Sequence, residues 1–247
     1  MTAPDTPCDL LPWDSRHFGV RVGRVQGSRL DAALLARVQR WRDEQAIDCL
    51  YLLADPNDAA TAPLAEGAGF RLVDVRVTLE GAAAADRDGD AAPGFEIREA
   101  REGDVAELRR LAAVSHHDSR FYYDGRFDRA RCDELYALWI ERACREETVL
   151  VAAASGRPVG YITCRIGDDG HGQIGLFAVA PEAQGKGLGG ALIARSLAHC
   201  AARGASRVRV VTQGRNVRAQ RIYQKLGLYT SAVELWFHGW REESEAR

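Results

Sequence analysis

Little in the 247-residue sequence marks it for a membrane, a metal or an oxidising compartment. No stretch approaches the roughly 20 apolar residues that span a bilayer as a helix. Residues 1–15 carry Asp5 and Asp9 and no apolar core, so no signal peptide is expected. The six cysteines (Cys8, Cys49, Cys132, Cys144, Cys164, Cys200) show no CxxC or CxxH spacing, which excludes the usual zinc patterns and a disulfide framework, and no metal is expected. A net charge of −2 gives no global pull towards nucleic acid or an anionic lipid surface, so neither is expected as a partner. What remains is a reduced, cytoplasmic globular protein, 46% hydrophobic and 28% charged, long enough for one large core or two modest ones.

Residues 81–94, GAAAADRDGDAAPG, lack both periodicity and large side chains and read as a linker. They separate a small αβ domain over 1–80 from a larger one over 95–247. In the first, strands are expected at 20–25, 49–53 and 70–79, the last from its period-two alternation. Helices are expected at 30–45 and 59–66, with Leu30, Leu34, Val38 and Trp41 on one face of the longer. In the second, strands are expected at 95–98, 148–153, 158–165, 173–179, 207–212 and 232–238. Helices should cover 104–114, 131–144, the stretch from the glycine-rich turn to about Arg203, and 216–226, with Leu135, Leu138, Trp139 and Ala143 facing inward in the second of them. The order is mixed α/β, neither strictly alternating nor segregated. Both blocks close with helix, glycine-aromatic and strand, a hint that the first is a reduced copy of the second.

Carboxylates are missing where one familiar reading would need them. Gly185, Gly187 and Gly190 satisfy G-x-G-x-x-G between a strand and a helix, but a dinucleotide fold wants an acid at the end of the next strand to hold a ribose. No Asp or Glu occurs from Ala183 to Val233. A phosphate loop of the Walker type needs Ser or Thr after Gly-Lys, and Lys186 is followed by Gly187. Two readings survive: a turn whose backbone N–H groups cradle a pyrophosphate at a helix N-terminus, and a plain glycine-rich turn. The same stretch carries nine basic residues, leaving 24 basic against 35 acidic residues elsewhere. A basic segment in an acidic remainder favours a local polyanionic ligand, and coenzyme A fits that description.

Gln184-Gly-Lys-Gly-Leu-Gly, preceded by Val179-Ala-Pro-Glu, resembles the Q/R-x-x-G-x-G/A motif of GNAT acetyltransferases. Downstream, Asn216-Val-Arg-Ala-Gln-Arg-Ile-Tyr-Gln-Lys-Leu-Gly is similar to that superfamily's second signature, N-x-x-A-x-x-x-Y-x-x-x-G. The resemblance implies an α/β (mixed α+β) GNAT fold with a central, mixed, splayed sheet, preceded by the smaller αβ unit. It also implies acetyl-CoA as co-substrate and a small-molecule amine as acceptor; a homodimer is left open. The pantetheine arm would lie where the strand at 175–179 parts from the strand at 208–212, held by main-chain groups of Phe177, Ala178 and Val179. Backbone N–H groups of Gln184, Gly185, Lys186, Gly187, Leu188, Gly189 and Gly190 would hold the pyrophosphate. Asn216 stands where a helix N-cap belongs, and the resemblance adds a contact with the cofactor. Tyr223, two helical turns on, shares a face with Asn216. Its place in the apolar stripe Ala219, Ile222, Tyr223, Leu226 makes it a core residue on pattern alone, whereas the resemblance makes it the acid that protonates the coenzyme A thiolate.

Three softer stretches, LPWDSRHFG at 11–19, SRFYYDGRF at 119–127 and LYALWIER at 135–142, resemble the TDP-fucosamine acetyltransferase group, which acetylates the amine of a nucleotide-linked aminodeoxy sugar. Arg120, Tyr122, Tyr123 and Arg126 would suit a diphosphate and a base or sugar ring. The alternative is an ordered loop that packs its aromatics on the core. His116, His117 and His171 have the right chemistry for a base, with a water chain as the other candidate. A non-catalytic acetyl-CoA-binding module, another small amine and a protein N-terminus are the competing functions.

Overall fold

The structure is a computed structural model that describes residues 6–84 and 93–241. Its first elements are β1 (Cys8–Leu10), α1 (Pro12–Phe18), β2 (Val22–Val25), α2 (Ala32–Glu44), β3 (Cys49–Ala54), α3 (Thr61–Gly67) and β4 (Phe70–Ala82). There follow β5 (Phe95–Glu99), α4 (Val105–Ala113), α5 (Arg120–Asp124), α6 (Arg129–Glu146), β6 (Thr148–Ala154), β7 (Arg157–Ile166) and β8 (Gly172–Val179). The chain closes with α7 (Leu188–Ala202), β9 (Arg207–Gln213), α8 (Val217–Lys225) and β10 (Tyr229–Trp240). Among the described residues, no helix is long and apolar enough to cross a membrane.

Every expected element is present within a few residues, and three were not foreseen. β1 and α5 are too short to carry a periodic signal, and α1 is announced only by Pro12 in its first turn and by Gly19, left-handed at φ 71°, after its end. The expected linker is partly strand, since Gly81 and Ala82 belong to β4, and its centre, 85–92, lies outside the described residues.

The chain forms two compact units that do not follow sequence order: 1–76 with 119–131 and 233–247, and 77–118 with 132–232. The division at 81–94 orders the chain but does not describe its packing. In the first unit β2 and β3 run parallel, joined by α2, whose N-cap Asp31 accepts from Leu34 N at 2.7 Å. The last strand of the chain lies antiparallel on β3, from Leu235 opposite Ala54 to Trp240 opposite Cys49. β3 is buried along its whole length, and Val38, Ile47, Leu50, Leu52, Phe70 and Phe237 form the core around it.

In the second unit β5, β6, β7 and β8 are successive antiparallel neighbours, and β8 runs parallel to β9 through α7. β9 is flanked on its other side by β4. The plan β2-α2-β3-α3-β4 thus recurs as β8-α7-β9-α8-β10, with the closing strands exchanged: β10 borders β3, and β4 borders β9. The mixed sheet that the resemblance implies is the one observed.

Candidate active site

A parallel pair that parts company opens the site. β8 and β9 pair only from Gly172 opposite Val208 to Ile174 opposite Val210. Beyond that point β8 keeps its other partner but with a slip, because Ile162 faces Phe177 while Cys164 faces Ile174, so that one residue of β7 stands against two of β8. Thr163 Oγ1 accepts from Leu176 N at 3.0 Å and satisfies the displaced backbone. Two cavities of the second unit share Phe177, Asn216 and Ala219 in their walls, one of 580 Å³ beside the glycine-rich turn and one of 690 Å³.

The first cavity gathers Phe177, Ala178, Val179, Gln184, Gly185, Gly187, Leu188, Gly189, Gly190 and Asn216, as the motifs imply. Gly185 and Gly187 both sit at φ 79°, a left-handed conformation that other residues adopt at a cost. Gly187 is the N-cap of the 15-residue α7 and offers no side chain to the first N–H groups of the helix, which also has no acidic residue in its first turn. Those donors are left for an anion, and the helix dipole favours one there. Of the residues expected to hold the cofactor, Lys186 and Tyr223 do not line this cavity; the Lys186 ammonium lies 5.4 Å from the centre of the Phe95 ring. The Gln184 side chain is also committed, since its Nε2 donates to Val179 O at 2.9 Å and its Oε1 accepts from Arg218.

α8 carries the second signature. Asn216 Oδ1 accepts from Ala219 N at 3.1 Å, so the cap is real. Tyr223 lies on the same face and both residues line the larger cavity. Only 2% of Tyr223 is exposed, its ring centre is 6.2 Å from that of Phe177, and burial pushes its phenol above the ordinary value. It is both a packed ring and a member of the cavity wall.

The larger cavity is lined chiefly by residues the sequence reading did not single out. Tyr136, Trp139, Arg142 and Glu146 come from α6, Thr163 and Arg165 from β7, and Glu147 from the turn between them. Trp139 was expected in the core; it is 37% exposed, and Cys132, Leu135, Tyr136, Ala137, Ile140 and Ala143 form the buried face instead. The stretch 135–142, noted for its resemblance, held the signal: Tyr136, Trp139 and Arg142 recur every three residues. Of the three candidate bases only His116 lines this cavity. Its ring stacks on Tyr136 at 4.5 Å, its Nε2 lies 2.7 Å from Tyr161 Oη, and burial lowers its pKa to about 4.

None of Arg120, Tyr122, Tyr123 and Arg126 lines either cavity; all four belong to the first unit. The Arg120 guanidinium is enclosed by aromatic rings, 4.3 Å from Tyr51, 4.2 Å from Phe121 and 4.3 Å from Trp236. Its Nη1 is 3.1 Å from His238 Nε2. A guanidinium only donates, so His238 accepts there and donates its Nδ1–H to Asp124 Oδ2 at 2.5 Å, where Trp240 Nε1 also donates at 2.8 Å. Burial holds this imidazole neutral, with a pKa near 4. Phe121 and Phe127 are buried against Phe18, at 5.2 and 4.4 Å, so two of the three softer stretches meet in one aromatic core. Arg129 covers Tyr122 at 5.3 Å, and Tyr123 is 65% exposed. Arg126 lines a separate 730 Å³ cavity with Arg42, Arg71 and Arg241.

The basic stretch is less unbalanced in space than in sequence. Glu80 of β4 pairs with Arg209 at 2.6 Å and Arg207 at 3.6 Å, and Arg215 Nη1 donates to Asp118 O at 3.1 Å. Arg218 and Lys225 line the smaller cavity and keep their charge available to it.

Residues 107–228 match the Acetyltransferase (GNAT) family. A dTDP-fucosamine acetyltransferase of Escherichia coli is 33% identical over 150 residues, 56% of this chain and 61% of that protein. The spore coat polysaccharide biosynthesis protein SpsD of Bacillus subtilis is 28% identical over 150 residues, 60% of this chain and 52% of that protein. The matched region therefore spans between half and two thirds of these curated relatives. Among solved structures, a GCN5-related N-acetyltransferase from Sphaerobacter thermophilus shares the fold with a TM-score of 0.69 at 16% identity, over 94% of this chain and 75% of that one.

Proposed function

From residues 107–228, a GNAT acetyltransferase domain, we propose that the protein transfers an acetyl group from acetyl-CoA to a primary amine, the amine of a nucleotide-linked aminodeoxy sugar. The observation that carries this reading is the parting of β8 and β9, with a cavity beside the glycine-rich turn and a polar-aromatic cavity that both reach Asn216. The uncapped N–H groups of α7 and the basic Arg218 and Lys225 suit a pyrophosphate. Acetyl-CoA, when bound, supplies an activated thioester. This chain's residues hold it against the acceptor and exclude bulk water from the reacting atoms. Backbone N–H groups of β8 would stabilise the charge that develops on the thioester oxygen. Tyr223 stays protonated at neutral pH and would donate to the departing thiolate. Glu146 and Glu147 line the larger cavity beside Arg142 and Arg165, at 2.6 and 4.0 Å, so its polar wall carries both signs, and the part-exposed Trp139 offers a ring to the C–H face of a sugar.

The sugar-amine acceptor draws support from the E. coli and B. subtilis relatives, one an acetyltransferase of dTDP-fucosamine and one a polysaccharide biosynthesis protein. Release of coenzyme A thiol tests the reading. A dTDP-linked 4-amino-4,6-dideoxyhexose should exceed lysine peptides, spermidine and kanamycin in kcat/KM. Preference for any of those three overturns the acceptor, and absence of thiol release with every amine overturns the activity.

A further inference from the structure

His116 is the one candidate base that lines the acceptor cavity, yet its surroundings assign it a different part. Tyr161, in the middle of β7, is completely buried, and burial raises its phenol well above the ordinary value, so its hydroxyl keeps its hydrogen. That hydrogen must find an acceptor, because an enclosed O–H left unmatched is costly. The hydrogen-bond partner of the Tyr161 hydroxyl is His116 Nε2, at 2.7 Å. A protonated Nε2 would instead donate to the hydroxyl and strand the phenolic hydrogen inside the protein. Nε2 is therefore the acceptor, and a neutral ring must then carry its hydrogen on Nδ1. Stacking on Tyr136 at 4.5 Å and 21° fixes the plane of the ring. Protonation of the ring would set a second donor against the Tyr161 hydroxyl and a charge between buried aromatics.

We propose that His116 is a fixed neutral donor of the acceptor cavity: Tyr161 holds its tautomer, and the Nδ1–H is offered to an oxygen of the acceptor, a hydroxyl or ring oxygen close to the amine. His116 is then no base for the amine, whose proton passes to solvent water. Its role rests on the reading of the larger cavity as the acceptor site, and it sharpens the substrate class from amines in general to amines bearing a neighbouring oxygen. A polyamine offers no oxygen to this donor.

Two measurements separate this inference from the activity it rests on. Imidazole ¹⁵N correlation spectra of the protein alone report the tautomer: His116 should show protonated Nδ1 and unprotonated Nε2, unchanged between pH 5 and 8. The opposite tautomer, or titration within that range, overturns the proposal whatever the enzyme acetylates. Kinetics with dTDP-4-amino-4,6-dideoxygalactose then test the donor. His116→Phe should raise KM for the sugar about tenfold with kcat little changed, as expected for one uniform hydrogen bond. His116→Asn places an amide N–H near the position of Nδ1 and should restore most of the loss. Acetyl-CoA should raise the melting temperature of both variants and of the wild type alike, which separates loss of the donor from loss of the fold. If wild type turns over the sugar and His116→Phe matches it, His116 has no part in acceptor binding. If wild type turns over no amine, the acetyltransferase reading falls and takes the acceptor role of His116 with it.

Discussion

At the scale of single residues, environment decides what each ionisable group does. Tyr223→Phe keeps the ring that packs near Phe177 and removes only the hydroxyl. The expected result is a fall in kcat of about 10²-fold with acetyl-CoA affinity unchanged, because protonation of the leaving thiolate is felt in the transition state alone. Steady-state kinetics alongside a binding titration check it, and wild-type turnover would return Tyr223 to its packing role. His238 makes a stability prediction. Its folded pKa of about 4 lies below the ordinary 6.5, so the unfolded chain takes up a proton first as the pH falls. Stability should therefore decline from pH 6.5 towards 4, with this one ring accounting for about 2 kcal/mol by pH 5. Urea unfolding at pH 7 and pH 5 measures the loss, and equal stability at the two values would contradict the neutral His238–Asp124 pair.

At the scale of elements, the N-terminus of α7 is the feature most open to test. Gly187→Ala places a side chain at φ 79° and should cost about 1 kcal/mol of stability as well as acetyl-CoA affinity. Gly190→Ala is the more informative change. A Cβ there meets nothing within 4 Å, and alanine is the better helix former, so the free protein should gain up to about 1 kcal/mol. Acetyl-CoA binding should nevertheless weaken, since the new methyl group stands where the phosphates approach the backbone. A variant that melts higher and binds equally well would argue against the cradle. The slip between β7 and β8 was invisible in sequence, because Thr163 and Leu176 look like any strand residues until their register is known.

At the scale of the whole molecule, each unit is completed by a strand that the sequence places with the other block. Truncation after residue 232 removes the part of β10 that pairs with β3 from Leu235 to Trp240. The fully buried β3 would lose a neighbour, so amide protection in β2 and β3 should collapse while α7 and β8 stay protected. Uniform loss across the chain, or none, would show that the closing strand does not hold that unit. Acetyl-CoA should raise the melting temperature of the intact protein by mass action, and NADH and ATP much less. A larger shift with NADH would revive the dinucleotide reading.

The sequence by itself determined what depends on neighbours along the chain. Period-two and helical patterning located nearly every long element, the glycines at 185 and 187 encoded a left-handed turn, and the spacing of Asn216 and Tyr223 put both on one helical face. The glycine-rich turn was legible for that reason, being built from consecutive residues. Tertiary structure decided what depends on residues distant in sequence. It paired Glu80 with Arg207 and Arg209, which the count over 183–233 left uncompensated, and it enclosed Arg120 between Tyr51, Phe121 and Trp236. It turned Trp139 from an inward-facing residue of an apolar stripe to a cavity wall, and it gave His116 a buried tyrosine for a partner. A side chain's charge state and hydrogen-bond role follow from burial and from what lies opposite, and neither exists until the strands and helices have packed.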